Sequence, residues 1–422
     1  MQKGFYGWVI VATAFLTFGL STGLPYYNMP FFYDYYEKSF GWARDDMTKG
    51  FPLAALFTLW VGPLLVHRFS PRLIVLFGTA MTFIALVGFS RMDGNLYMYY
   101  VLWFIYMIGY IFSGPIPHQI MVSQWFRRKR GMAMGITYVG IGVLGPLGSL
   151  LVRQLAGQYS WQTAMFGLGC VVLLAWPLAI FLLKDKPSDM GQFPDGAPMA
   201  ADEVKASPRP FSDLVGHFPF WLLLIGSMCS IGAIGSINQH MKLAFKDQGF
   251  TDQATLNATW QYANTIILVS SIAGRLFMGW LADRFSKKWV MTATYVLVAG
   301  TIPLLLLVKP GEDMSLWMFA VLFGFGMGAD YMLIPLMAAE QFGVNTVARA
   351  MAVILPADTI GQTWCPWIVA KLRISFGNYD TAMMAVFVMA FVGAVAIMLL
   401  PKQGSKDETF QLPGAQRTAT GD

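Results

Sequence analysis

In the stretch "ANTIILVSSIAGRLFMGWLADRFSKK" (263–288), Ser271 lies four residues and Asn264 eleven residues before Arg275. At helical spacing these three residues share one face, with Leu268 between them. A face carrying Asn, Ser and Arg is poorly suited to lipid. An arginine presents a planar fork of donors that stays charged, and that fork matches a carboxylate. The chemistry on offer is therefore anion binding, with Asn264 lining the same aqueous path nearer the outside. Two acids lie in comparable surroundings: Asp358 in "AVILPADTIGQTW" (352–364) and Asp330 in "GFGMGADYMLIP" (324–335). A carboxylate without a partner in an apolar medium is costly as an anion and is cheaper with a proton. With all three groups ionised, two acids and one Arg leave one negative charge in excess. A proton on one acid balances Arg275, and an entering carboxylate then favours a proton on the second. That arithmetic suits proton-coupled passage of an anion through Asp358 and Asp330, and it equally admits a cation or zwitterion without a proton. Three structural readings stand beside it. Asp358 can form a fixed salt bridge to Arg275, Asp330 can hydrogen-bond in helix packing or a gate, and Arg275 can snorkel to the inner headgroups. His118, after Pro115 and Pro117, is a further candidate for the site, as are Tyr138 and Tyr331. His240 is another, and Tyr106, Tyr110 and Trp364 stand with Tyr138 and Tyr331 as candidates for an amphipathic cavity wall.

The elements holding these residues follow from composition. Hydrophobic residues make up 56% and charged residues 12% of the 422, against roughly 25% charged in a soluble domain. Mean hydropathy is +0.53. Lipid is thus the expected solvent. A spanning helix takes about 20 mostly apolar residues, and such runs recur at 8–32, 48–66, 72–90, 97–124, 132–155, 163–183, 218–241, 256–281, 289–308, 315–339, 347–370 and 380–400. Twelve transmembrane helices are expected, the first retained and not cleaved as a signal. Residues 1–183 form an N-terminal six-helix bundle and 218–400 a C-terminal one. A polar, Pro-rich cytoplasmic linker, 184–217, separates them, and 401–422 form a disordered cytoplasmic tail. The glycine-rich "GIGVLGPLGS" (140–149) suits close helix packing that can rock.

Net charge is +6, so a nucleic-acid partner has to be weighed. With a cytoplasmic N-terminus, roughly eighteen of the 29 Lys and Arg fall on cytoplasmic segments, including "RRKR" (127–130). Wedged between two spans, that cluster sets orientation against anionic headgroups and does not read as a nucleic-acid patch. The chain is expected in the plasma (inner) membrane with both termini cytoplasmic, working as a monomer in the bilayer. Trp103, Trp125, Trp289 and Trp317 are expected as interface anchors. Cys170, Cys229 and Cys365 lie far apart within spans and read as packing residues. No His-x-x-His, Cys-x-x-Cys or clustered carboxylates appear, so neither a metal, a cofactor nor an enzyme's catalytic cluster is expected.

The two halves echo each other: "VGPLLVHRFSPR" (61–72) follows the second span and "MGWLADRFSKK" (278–288) the eighth. This repeated G-x-L-x-D-R-F-x-x-K/R loop resembles the signature of the major facilitator superfamily. "FYGWVIV" (5–11), "FGWARDDM" (40–47), "SQWFRRKRGMAMGI" (123–136) and "GRLFMGWLADRF" (274–285) are similar to the branch of monocarboxylate transporters and oxalate–formate antiporters. The resemblance implies an all-α membrane fold of two pseudo-symmetric six-helix bundles. It also implies a cytoplasmic gate at Asp283 and Arg284, with Arg68 and His67 at the matching point of the first half. His67 stands where the family usually has Asp, so a weaker or pH-sensitive closure is expected there. The family's carboxylate-binding arginine in span eight falls on Arg275. The acid that the branch commonly places one turn earlier is Ser271 here, so proton coupling through that position is not carried over. Span one has Asn28 where a nearby lysine is common, which argues against a small dicarboxylate such as oxalate. The expected activity is secondary active transport of a small monocarboxylate or related organic anion, with proton symport. The alternative is a proton-coupled exporter of amphipathic or drug-like compounds, suggested by the aromatic and methionine content.

Overall fold

The computed structural model describes residues 4–42, 46, 47, 49, 50, 53, 54, 56, 69–196 and 211–401. Most of the expected second span (48–66) lies outside these residues. So do the gate candidates His67 and Arg68, part of the linker (197–210) and the tail from 402 onward. Eleven long helices follow one another among the described residues: α1 (Gly7–Phe40), α2 (Pro71–Ser90), α3 (Leu96–Trp125), α4 (Arg130–Gln158), α5 (Trp161–Phe181), α6 (Phe218–Asp247), α7 (Gln253–Arg284), α8 (Lys287–Leu306), α9 (Asp313–Phe342), α10 (Val347–Phe376) and α11 (Tyr379–Met398). No strand occurs among the described residues.

Helix ends coincide with capping residues. Ser70, Asn95, Ser160, Asp252 and Asn378 each accept a hydrogen bond from a backbone amide of the following first turn. Gly41 and Gly377 close α1 and α10 in the left-handed conformation. α1 carries a π-helical turn at Gly19–Gly23, and α3 breaks at Gly114 before Pro115. Such interruptions sit where neighbouring helices re-satisfy the backbone. Ser21 does this directly, donating to the Ser113 carbonyl at 2.8 Å.

Ten of the eleven are long and apolar enough to cross a membrane. α10 is the exception by composition: Asp358, Thr359, Gln362 and Thr363 occupy its middle. Asp358 is fully buried and the other three are half-buried, so α10 turns these groups into the protein. Polarity is inverted elsewhere too. Large apolar side chains such as Leu150, Val269, Phe277 and Val388 lie on the outside, which suits a lipid solvent. Two of the expected interface anchors do not serve that way. Trp103 and Trp125 are buried, Trp103 among the rings of Phe89, Tyr99 and Tyr106. Trp289 and Trp317 are exposed.

Packing separates the helices into two groups. α1 to α5 pack among themselves, and α6 to α11 do the same. The groups meet chiefly along α4 and α7, with smaller contacts of α4 with α9 and of α3 with α10. At the α4–α7 crossing a Cβ on Gly131 would come within 2.3 Å of the Gly279 carbonyl. Only glycines let the two backbones approach that closely. The candidate site sits on this seam.

Candidate functional site

α7 presents opposite characters on its two sides. Val269 is 63% and Phe277 50% exposed, whereas Arg275 is 9% exposed. The arginine turns inward, toward α4: a Cβ on Gly142 would lie 3.1 Å from its Nη1. Nη1 donates to the Ser271 hydroxyl at 2.8 Å, and that hydroxyl donates onward to the Leu268 carbonyl, also at 2.8 Å. The four-residue spacing read from the sequence thus becomes a direct contact. Nε of Arg275 is buried with no hydrogen-bond partner. No carboxylate of the described residues forms an ion pair with it, whereas Lys287–Glu340, Arg373–Asp247 and Lys49–Asp46 do pair. A guanidinium has five N–H donors, and here most of the fork is unspent.

Tyrosines surround the seam from both groups. Tyr27 and Tyr138 lie within electrostatic range of Arg275, and Tyr26 and Tyr110 within range of Tyr331. The Tyr26 and Tyr110 rings are 6.1 Å apart. Tyr138 accepts a hydrogen bond from Nε2 of Gln119, which leaves its own hydroxyl proton to donate. Tyr331 donates to Oε1 of Gln362 at 3.1 Å. Gln119 and Gln362 were not singled out by sequence reasoning. An amide side chain in a span carries a polarity signal but no indication of its partner. Asn264, on the same helix as Arg275, is half-buried and donates to the Trp260 carbonyl at 3.0 Å.

Asp330 and Asp358, on α9 and α10, form no ion pair with the arginine, and both are fully buried. Oδ2 of Asp330 accepts from Ser230 at 2.5 Å, while Oδ1 has no partner. Neither oxygen of Asp358 has one. Ser227 lies beside it but commits its single proton to the Leu224 carbonyl at 3.1 Å. The Tyr295 hydroxyl, also buried, approaches Asp330 from α8 at a geometry short of a full hydrogen bond. His118 is saturated within the first group. Nδ1 meets the Gly114 carbonyl at 2.8 Å, Nε2 meets the Thr17 hydroxyl at 2.9 Å, and Phe18 stacks on the ring at 4.8 Å. His240 is likewise engaged, by Tyr379 and the Pro366 carbonyl.

Two turns beyond Arg275, α7 ends at a second charged contact. The Asp283 carboxylate accepts from the backbone amides of Gly131 at 2.6 Å and Met132 at 2.8 Å. These are first-turn amides of α4, so an acid from one group closes the helix N-terminus of the other. Lys287 pairs with Glu340 at 2.8 Å nearby. Arg284 lies over the Trp280 ring at 4.2 Å and is exposed. Asp283 therefore bridges the groups, while Arg284 stays at the surface.

Two helical groups enclosing a buried cation on their shared seam, with apolar faces turned outward, define a membrane carrier. The sequence matches the family model described as Major Facilitator Superfamily over residues 9–274 and 258–419. The chain belongs to that superfamily. Among curated relatives, it is 26% identical over 386 residues to an Aspergillus flavus protein named MFS transporter asaE, covering 89% of this chain and 82% of that one. It is 24% identical over 426 residues to mouse Monocarboxylate transporter 11, covering 94% and 88%. Among solved structures, the E. coli fucose:proton symporter FucP superposes with a TM-score of 0.70 at 13% identity, covering 93% of this chain and 98% of that one. The proton:xylose symporter XylE gives 0.70 at 15%, covering 94% and 96%. The fold is therefore the all-α major facilitator fold of two pseudo-symmetric bundles, and the chain is a transporter by family.

Proposed function

We propose that this protein carries a small monocarboxylate or related organic anion by alternating access, with a proton moving alongside. The observation that supports this reading is the buried Arg275 fork. It faces the seam between the bundles, is steadied by one hydroxyl and has no acid of its own. A charge at that depth costs about 2.5–3.5 kcal/mol on insertion scales, and a substrate carboxylate supplies the missing partner with two parallel charge-assisted hydrogen bonds. Tyr138, with its phenolic proton free, adds a third donor. Asn264 and Tyr331 line the same path from α7 and α9. His118, held at both nitrogens, supports the Phe18–Tyr138 wall; those two rings meet edge-on at 5.2 Å.

The proton resides on Asp358 or Asp330. Each is a fully buried acid with at least one oxygen outside any hydrogen bond, and neither is ion-paired with Arg275. Asp283 acts as the cytoplasmic gate, closed as described here. The protein sits in the plasma (inner) membrane with both termini cytoplasmic, divided at the linker 184–217, and works as a monomer. Uptake of labelled monocarboxylates into proteoliposomes tests the reading. Transport should require Arg275 and should accelerate as external pH falls. Undiminished uptake by Arg275→Ala rejects the anion assignment, and pH-independent exchange rejects the coupling. The tyrosine-lined seam and the relative asaE, named only as a transporter, support a second reading, export of amphipathic compounds. Dye accumulation in whole cells separates the two.

A further inference from the structure

The connector leaving α5 is not slack chain. Trp125 donates through Nε1 to the Lys184 carbonyl at 2.9 Å. Oε1 of Gln192 accepts from the Tyr6 amide at 2.9 Å, and its Nε2 donates to the Gly4 carbonyl at 3.2 Å. The Phe5 ring, 5.4 Å from that of Phe126, packs against Gly196. At the tip stands Asp195, the only non-glycine residue with positive φ (+56°) among the described residues. Few residues other than Gly, Asn and Asp adopt that conformation readily. Oδ2 of Asp195 accepts from the amides of Arg127 at 2.9 Å and Arg128 at 2.8 Å. The next amides used by a carboxylate are those of Gly131 and Met132, which go to Asp283 of the other bundle. One short segment, 126–132, is thus gripped by two carboxylates from different parts of the chain.

The two grips differ in kind. Asp195 and its amides both belong to the α1–α5 side, so their contact survives any rocking of the bundles. The Asp283 contact crosses the seam and must break whenever the cytoplasmic side opens. We propose that Asp195 is a positioning residue for the gate. It fixes the 127–128 backbone so that the Gly131 and Met132 amides are presented together, and Asp283 closes onto a preformed cradle. This rests on the reading of Asp283 as the gate. A helix N-terminus binds a carboxylate through amides aimed at one point, and ordering them in advance removes that cost from closure. The connector thereby biases which side of the transporter is open without touching the substrate.

Hydrogen–deuterium exchange on the purified full-length protein reads this directly and needs no substrate. Asp195→Gly tolerates the backbone conformation and removes the carboxylate; Asp195→Asn keeps an acceptor oxygen. Exchange at Gly131 and Met132 should rise roughly tenfold in Asp195→Gly and stay near wild type in Asp195→Asn, with the middle of α4 unchanged. In an Asp283→Ala background, Asp195→Gly should add nothing at those two amides. Faster exchange confined to Arg127 and Arg128, or increases that simply multiply in the double variant, would overturn the proposal. If Asp283→Ala alone leaves Gly131 and Met132 protected, the gate reading itself has failed, whatever Arg275 does in transport.

Discussion

α7 carries two ionised side chains eight residues apart, about 12 Å along its axis, and the protein treats them in opposite ways. Asp283 is met by two backbone amides of the partner bundle at 2.6 and 2.8 Å. Arg275 is met by one hydroxyl of its own helix, and its Nε is left without a partner. Both lie on the α4–α7 seam, Arg275 buried and Asp283 half-buried, so the more deeply buried charge is the one with fewer partners. A charge with each of its oxygens engaged by an amide of the other bundle holds two parts together. A buried charge with unspent donors is costly unless something comes and goes that completes it. The first is the signature of a latch and the second of a binding site. The seam thus combines closure at one end with recognition further in.

The largest effect that can break this contrast comes from the arginine. Arg275→Ala removes two charge-assisted hydrogen bonds to substrate, worth about 1.5–3 kcal/mol each, so initial uptake should fall at least about a hundredfold. Arg275→Lys keeps the charge and loses the fork, and should recover only a minor part of the rate. If lysine restores full uptake, the fork has no role.

At the latch, a carboxylate at a partly buried helix N-terminus contributes up to about 2 kcal/mol. Asp283→Ala should therefore slow uptake about tenfold while leaving substrate affinity nearly unchanged. A loss of affinity with no loss of maximal rate would place Asp283 in binding and erase the contrast.

The acids sharpen it from a third position. Wild-type uptake should climb as external pH drops, because the proton enters with the anion. Asp358→Asn is permanently neutral and should show a flat pH profile, with uptake at low pH reduced several-fold; Asp330→Asn serves as the companion. Steep pH dependence surviving in both variants removes them from coupling. The smallest effect belongs to Tyr138→Phe, which deletes one donor worth about 0.5–1.5 kcal/mol. It should raise KM about two- to tenfold with little change in maximal rate, and an unchanged KM takes Tyr138 out of the site.

The scaffold was largely readable from the chain, because apolar runs long enough to span a bilayer leave few alternatives. α10 shows where that signal weakens. Its buried Asp358 and half-buried Gln362 dilute an otherwise apolar run for the same reason that they interest a functional reading. On one helix, periodicity also worked well: Ser271 touches Arg275 as four-residue spacing requires. Contacts between helices were not legible. The partners of Asp283 are backbone amides of Gly131 and Met132, which any residue but proline could supply, some 150 residues earlier in the chain. Charge counting allowed a fixed pair between Asp358 and Arg275, and no such pair forms. Which of two buried charges meet depends on helix rotation, which a single sequence does not encode visibly. His118 illustrates the same limit: the Gly114 carbonyl at Nδ1 is only four residues away, but the Thr17 hydroxyl at Nε2 comes from α1, which composition alone does not bring alongside.

Ligand binding to purified protein tests the central claim without the complications of gating or coupling. Thermal-shift titration with a panel of short monocarboxylates and their uncharged amides, on wild type and Arg275→Ala, isolates the guanidinium. Stabilisation of wild type by at least one carboxylate, absent with its amide and absent in the variant, is the predicted result. Equal stabilisation of wild type and Arg275→Ala by the same carboxylate would contradict the account.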